Sequence, residues 1–274
     1  MRRALLFVVV LIASGSTLLA GDWANDPAWH DGLVEKATYS ATRVIYGKPR
    51  PYTAVFFTNK EQHDLQTQTK ASGSDQTIEV WKFNQVEVVP TPNYDYKFVT
   101  TSHHTVQNLI LTRLDCSSQE FCGTSFKQYL SRLTDVRSDS RSWEYFSFSY
   151  MPESGRVTAV VRDRGDPGLV PFNSLPLWLR NFDFSRSGPV RFLLLPDQKS
   201  NRATPYEPVE AEIRPAGEEG GSYKLELHAG GKPVGTFWMA KDRAQVMTRY
   251  RGADGQGYDL QKVERVDYWT IRGE

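Results

Sequence analysis

Strand-forming stretches follow one another along this chain at intervals too short to hold crossover helices, and that spacing restricts the fold more than any other feature. The pattern is clearest late in the sequence. Tyr223, Leu225, Leu227 and Ala229 alternate with Lys224, Glu226 and His228, which marks a strand with one buried face. Gly230 and Gly231 turn it into a strand over Val234 to Met239. Asp254-Gly255, a dipeptide suited to positive φ, joins Val246 to Arg251 with Gly257 to Trp269. Earlier, Lys36 to Tyr46 and Tyr52 to Asn59 flank the turn residues Gly47, Lys48, Pro49, Arg50 and Pro51. Gln76 to Val89, Tyr94 to Thr101 and Val106 to Asp115 continue the series. Trp143 to Tyr150 and Arg156 to Asp163 flank Pro152 to Gly155. About a dozen strands with short connections predict an all-β fold with few short helices and antiparallel pairing.

The remaining segments are read by exclusion. Glu61 to Asp75 is polar and predicts a loop. Two short helices are predicted: Ser125 to Leu133, and Ser174 to Phe182 with Ser174 as cap and Leu175, Trp178 and Leu179 buried. Residues 163–171, rich in Gly, Asp and Pro, either join two halves or belong to one continuous domain over 21–274.

The chain opens with Arg2 and Arg3, ten apolar residues from Ala4 to Ala13, and a small-residue stretch from Ser14 to Gly21. That is the layout of a signal peptide over residues 1–20, with cleavage expected after Ala20 and a product beginning at Gly21. Ten apolar residues make about 15 Å of helix, half of a ~30 Å hydrocarbon core. No later apolar run reaches membrane-spanning length. The sequence therefore predicts export out of the cytoplasm, with no membrane-spanning segment after cleavage. Loss of two arginines takes the formal charge from +1 to −1, which leaves no field to attract nucleic acid.

Cys116 and Cys122 are the two cysteines. An oxidising compartment allows them to bond across a turn; two separate thiols, or a reactive Cys122, are the alternatives. Metalloprotease, phosphate-loop and nucleophile-elbow motifs are all missing from the sequence. His103 and His104 are adjacent, and on a strand they point to opposite faces, which makes them a poor metal pair. No metal or cofactor is expected. Asp115, Glu120 and Glu144 are the acids considered for a hydrolase, in which two carboxylates must converge in space.

One segment carries large rings on both faces. Phe146, Phe148 and Tyr150 share one face of a strand, and Trp143 and Tyr145 share the other. Such a strand belongs either to a sheet covered on both sides or to the wall of a ligand cavity.

Trp29-His30-Asp31-Gly32-Leu33-Val34-Glu35-Lys36-Ala37-Thr38-Tyr39, with Arg43, Tyr46 and Gly47, resembles the start of a group of uncharacterised exported bacterial proteins. Ser117-Ser118-Gln119-Glu120-Phe121-Cys122-Gly123 resembles a motif of the same group, which usually has Trp at the place of Phe121. The part from Leu175-Pro176-Leu177-Trp178-Leu179-Arg180 through Thr236-Phe237-Trp238 to Tyr268-Trp269 is similar to the periplasmic domain-of-unknown-function family 3108. The resemblance implies a protein of the periplasm or envelope of a bacterium, built on one large curved antiparallel sheet or an open β-barrel like that of lipoprotein carriers, and it implies no activity. It points to Gln119, Glu120 and Cys122 for inspection. In that group a cysteine is usual at Cys122 and not at Cys116, so the resemblance implies no disulfide.

The leading expectation is a non-enzymatic protein that holds a lipid, another apolar ligand or a partner segment in its curved sheet, with Trp143, Tyr145, Phe146, Phe148 and Tyr150 as ligand contacts. A hydrolase of envelope material using Glu120 with Asp115, or Cys122, is the first alternative. A structural partner-binding domain is the second.

Overall fold

The computed structural model describes residues 22–71, 77–133, 141–151, 158–162, 168–267 and 269. The export segment, the turn Pro152 to Gly155 and the first part of the join at 163–171 lie outside the described residues. Sixteen strands are seen among the described residues: β1 Val34–Ile45, β2 Lys48–Asp64, β3 Thr69–Lys70, β4 Thr77–Val89, β5 Tyr96–Thr105, β6 Leu111–Glu120, β7 Gly123–Leu133, β8 Arg141–Ser149, β9 Thr158–Arg162, β10 Leu169–Pro171, β11 Val190–Leu195, β12 Val209–Glu219, β13 Ser222–Ala229, β14 Lys232–Ala240, β15 Met247–Gly252 and β16 Gly257–Val266. They form one sheet in the order β10-β11-β12-β13-β14-β15-β16-β1-β2-β4-β5-β6-β7-β8-β9, with β3 attached to β2. Every pairing is antiparallel except β10 with β11. Antiparallel order follows from the short connections, because a tight turn can only return a strand beside itself.

Pairing of β1 with β16 places the first and last strands side by side in the middle of the sheet. The sheet curls until its flanks meet through side chains: Leu114 of β6, Tyr129 of β7 and Trp143 and Tyr145 of β8 pack with Leu169 of β10 and Leu195 of β11. The result is an open barrel. Small inward residues, Ala37, Ala41 and Ala54, stand beside Tyr39, Tyr52 and Phe56 on β1 and β2 and leave room for the rings.

Several expectations are corrected. Lys48 to Pro51 belong to β2, because the turn is only Tyr46 and Gly47. Pro49 and Pro51 are tolerated there since β4 begins to pair only at Ala54, which makes this stretch of β2 a local edge. Glu61 to Asp64 continue the same strand and are not loop. Ser125 to Leu133 are not helical but form most of β7. Ser125, Lys127, Tyr129 and Ser131 alternate inward there, and polar inward residues hide a period-2 pattern. The second helix is confirmed in shorter form as α1, Leu175–Trp178, continued by 3-10 turns on both sides; the Ser174 side chain makes no cap bond.

Each end of the barrel is filled by the chain itself. At the end where β1 begins, Trp23 and Trp29 lie 4.6 and 4.8 Å from the Trp81 ring, over the buried Leu175, Leu177 and Leu179. At the opposite end, where the turns at Tyr46-Gly47 and Phe121-Cys122 sit, residues 196–206 leave β11 and pass along the inside of the sheet before β12 begins. Pro196, Pro205 and Pro208 keep this strap out of the strand ladder.

Candidate functional site

The strap is held mainly by its backbone. On the inner faces of β6, β7 and β8, Lys127 Nζ donates to the carbonyls of Gln198 (2.8 Å) and Ser200 (2.6 Å). Ser125 Oγ donates to the Ser200 carbonyl at 2.7 Å and Ser149 Oγ to that of Asn201 at 2.5 Å. The Tyr145 hydroxyl lies 2.7 Å from Gln198 Oε1 and 2.9 Å from the Thr204 carbonyl, and Thr204 N–H donates to Ser147 Oγ at 2.8 Å. The Tyr206 ring closes the row against Trp143, 4.3 Å between centroids. Contacts to main-chain groups are indifferent to most side chains, so the wall is suited to polypeptide of varied sequence.

The start of the strap is tied differently. Lys199 Nζ meets Glu87 Oε1 at 2.8 Å and the Tyr258 hydroxyl at 2.9 Å, and Tyr52 OH donates to Glu87 Oε2 at 2.8 Å. Arg43 donates to the Lys199 carbonyl, and Asn173 Nδ2 to Asp197 Oδ1 at 2.8 Å. Burial works against charge on Lys199, but Glu87 and Asp197 outweigh it and hold the ammonium above its ordinary range. Burial likewise opposes the Asp197 carboxylate, which Lys199 and Arg43 hold below the usual range. Residues 197–199 are therefore locked by compensated charge, whereas 200–206 are held by hydroxyls, an amine, the Glu120 carboxylate and one ring.

Gln119, Glu120 and Cys122 lie at the rim of this mouth. Gln119 is exposed, and Glu120 Oε1 accepts from Asn201 of the strap at 2.6 Å. Phe121, 87% exposed, stacks on Tyr94 at 5.1 Å, and the Tyr94 hydroxyl is 2.9 Å from Cys122 Sγ. Gly123 has φ +152°, and a Cβ there would stand 2.9 Å from the Tyr150 ring, which packs flat on the glycine.

The cysteines are both free, which corrects the disulfide expectation. Cys116 faces inward on extended β6 and Cys122 occupies the turn beyond its end. Four residues of strand rise roughly 13 Å, about twice the Cα separation a disulfide spans. Thr100 Oγ1 donates to Cys116 Sγ at 3.3 Å, and burial pushes that thiol up to about 11.

The two-faced pattern of β8 is as the sequence indicates: Trp143 and Tyr145 point into the barrel with Ser147 and Ser149, while Phe146 and Phe148 are half-buried on the outside and Tyr150 is 72% exposed. Phe146, Phe148 and Tyr150 thus line no cavity; with rings on both faces, sequence alone gave no means to choose between them. Asp115 points outward, held by Arg113 at 2.5 Å and Gln128 at 2.6 Å, and Glu144 is on the outer face of β8. Glu120, at an inward position of β6, does not converge with either, so the proposed carboxylate pair does not form. A bulge separates His103 from His104: His103 bonds Glu61 outside at 3.1 Å, and His104 bonds the Leu109 carbonyl inside at 3.1 Å. Among the described residues no group of three metal-ligating side chains is placed to hold an ion, and no helix is long and apolar enough to cross a membrane.

Sequence reasoning missed the strap and its wall, above all Lys127. No family model matches this chain, and no curated protein matches it. Among solved structures it is similar, at 11% identity, to the crystal structure of a β-barrel-like protein of domain of unknown function DUF1849 from Brucella abortus, over 86% of this chain and 98% of that one, with a TM-score of 0.49.

Proposed function

We propose that this chain is a non-enzymatic binding protein of the bacterial envelope whose curved sheet receives an extended polypeptide segment of a partner, along the wall now occupied by residues 200–206. One observation carries the reading: five residues of β7 and β8 already hold a stretch of polypeptide by its backbone. Export rests on Arg2, Arg3 and the apolar run after them. An apolar ligand is less well served. The space between Phe172, Pro176, Phe237, Met247 and Tyr250 amounts to about 10 Å³, barely enough for one water molecule.

The test replaces residues 200–206 with a longer glycine-rich linker of about fifteen residues, keeping the anchors at 197–199; the linker lacks the Asn201 and Tyr206 contacts and loses more conformational entropy on the wall than the natural strap does. A labelled, acetylated peptide of sequence 200–206 is then added. It should bind the folded open-strap variant with Kd below about 100 µM and bind the natural chain at least tenfold more weakly, since the resident strap competes for the wall. A folded variant that ignores the peptide, or that takes up a fatty-acid fluorophore in its place, contradicts the proposal.

A further inference from the structure

Lys127 differs from the other buried cations of this protein. Arg180 is paired bidentately with Glu35, and Lys199 meets Glu87, each carboxylate being as buried as its partner. Lys127 is 1% exposed, and among the described residues its ammonium bonds only neutral oxygens: the Gln198 carbonyl, the Ser200 carbonyl and Ser200 Oγ. Burial without a counter-ion is costly, and it draws the Lys127 ammonium down to about 8, Cys116 and Asp197 offsetting part of the effect and Arg43 adding to it.

The geometry at Ser200 indicates what the ammonium suits. Two oxygens of this one residue face Nζ, the carbonyl at 2.6 Å and Oγ at 3.0 Å. Ser125 Oγ donates to the same carbonyl at 2.7 Å and is itself 2.8 Å from Ser118 Oγ. The carbonyl is main chain and any residue at this place would supply it, whereas Oγ marks where a side-chain oxygen reaches the ammonium; a carboxylate oxygen there would add the missing charge.

We propose that the partner segment carries an acidic side chain, Asp or Glu, at the place of Ser200, and that Lys127 selects it while Ser125 holds the main chain. The inference rests on the polypeptide reading above. Wall contacts continue past Ser200 through Asn201 and Thr204, so the carboxylate is a side chain within the segment and not the end of a chain. The resident strap, with serine at this position, is by the same chemistry a weaker occupant than the partner it gives way to.

Two measurements test this. In the intact chain, Ser200→Asp should be more stable to urea than Ser200→Asn, and the difference should vanish when Lys127→Met is combined with each. On the open-strap variant, the 200–206 peptide with Ser200→Asp should bind about tenfold more tightly than that with Ser200→Asn, as expected for a charge-assisted bond at a shielded site. Lys127→Met should bring the two peptides within threefold. Equal stability of Ser200→Asp and Ser200→Asn in the intact chain, or equal peptide affinities, overturns the carboxylate inference and leaves the polypeptide reading standing. No binding by either peptide overturns that reading, while the intact-chain comparison still decides whether Lys127 takes a carboxylate.

Discussion

Where Trp23 and Trp29 cover Trp81, the barrel is closed by rings and aliphatic side chains, with a single bidentate Arg180–Glu35 pair at their edge. Where residues 200–206 close the other end, the same sheet uses serine hydroxyls, a tyrosine and a lysine against main-chain oxygens. Burying apolar surface cannot be reversed without exposing it to water. A row of hydrogen bonds to main-chain groups, with one ammonium and one carboxylate among the wall side chains, can be exchanged for bonds to water or to another chain at a modest net cost per bond. On the proposed reading, one end belongs to the core and the other is a replaceable closure.

The contrast should be largest for truncations. Trp81→Ala removes the ring on which both N-terminal tryptophans rest and should cost about 3–5 kcal/mol in urea unfolding, whereas Tyr206→Ala, at the half-buried edge of the strap, should cost about 1–2 kcal/mol. Equal losses would remove the distinction between the ends. Charge tests come next. Arg180→Met leaves Glu35 buried and alone, for about 3–5 kcal/mol, while Lys127→Met leaves neutral oxygens unpaired, for about 1–3 kcal/mol.

The two regions should also titrate in different windows. Burial, with His103 adding to it, lowers His104 to about 4, so the fold binds that proton less tightly than the unfolded chain does. Stability from His104 is present above pH 6.5 and is lost as pH falls toward 4, by up to about 3 kcal/mol, and His104→Gln should flatten that loss. Lys127 is depressed from 10.5 to about 8, so its contribution works in the same sense but at alkaline pH. Between pH 8 and 10 the unfolded chain holds the proton that the fold releases, and stability of the natural chain should rise relative to Lys127→Met. Urea midpoints across both ranges check the two signs together. The smallest effect is expected at the rim: Phe121→Ser, on a ring that is 87% exposed, should shift stability by less than about 0.5 kcal/mol.

These regions were not equally legible in the sequence. The core-forming strands announce themselves, since Tyr223 to Ala229 alternate because one face meets the interior and the other meets water. Strand β7 does not, because Ser125, Lys127 and Ser131 face inward toward a polar strap, and inward polarity inverts the usual cue. The strap itself has no periodicity, and its hydrogen-bond partners on β7 and β8 lie 52 to 75 residues away in sequence. Three prolines between Pro196 and Pro208 mark it as non-strand without saying that it turns inward. The rim motif around Gln119 and Cys122 was legible as a motif. Its position beside the strap emerges only once Asn201 is seen to reach Glu120.

Amide hydrogen exchange of the natural chain, followed by mass spectrometry across a low-urea series, tests the difference between the ends most directly. Residues 200–206 should exchange through a local opening whose rate is nearly independent of urea, while residues 172–182 and β4 should exchange only through global unfolding, with the full urea dependence. If residues 200–206 instead exchange as slowly as residues 172–182 and with the same urea dependence, the strap is part of the core and the wall of β7 and β8 is not available to a partner.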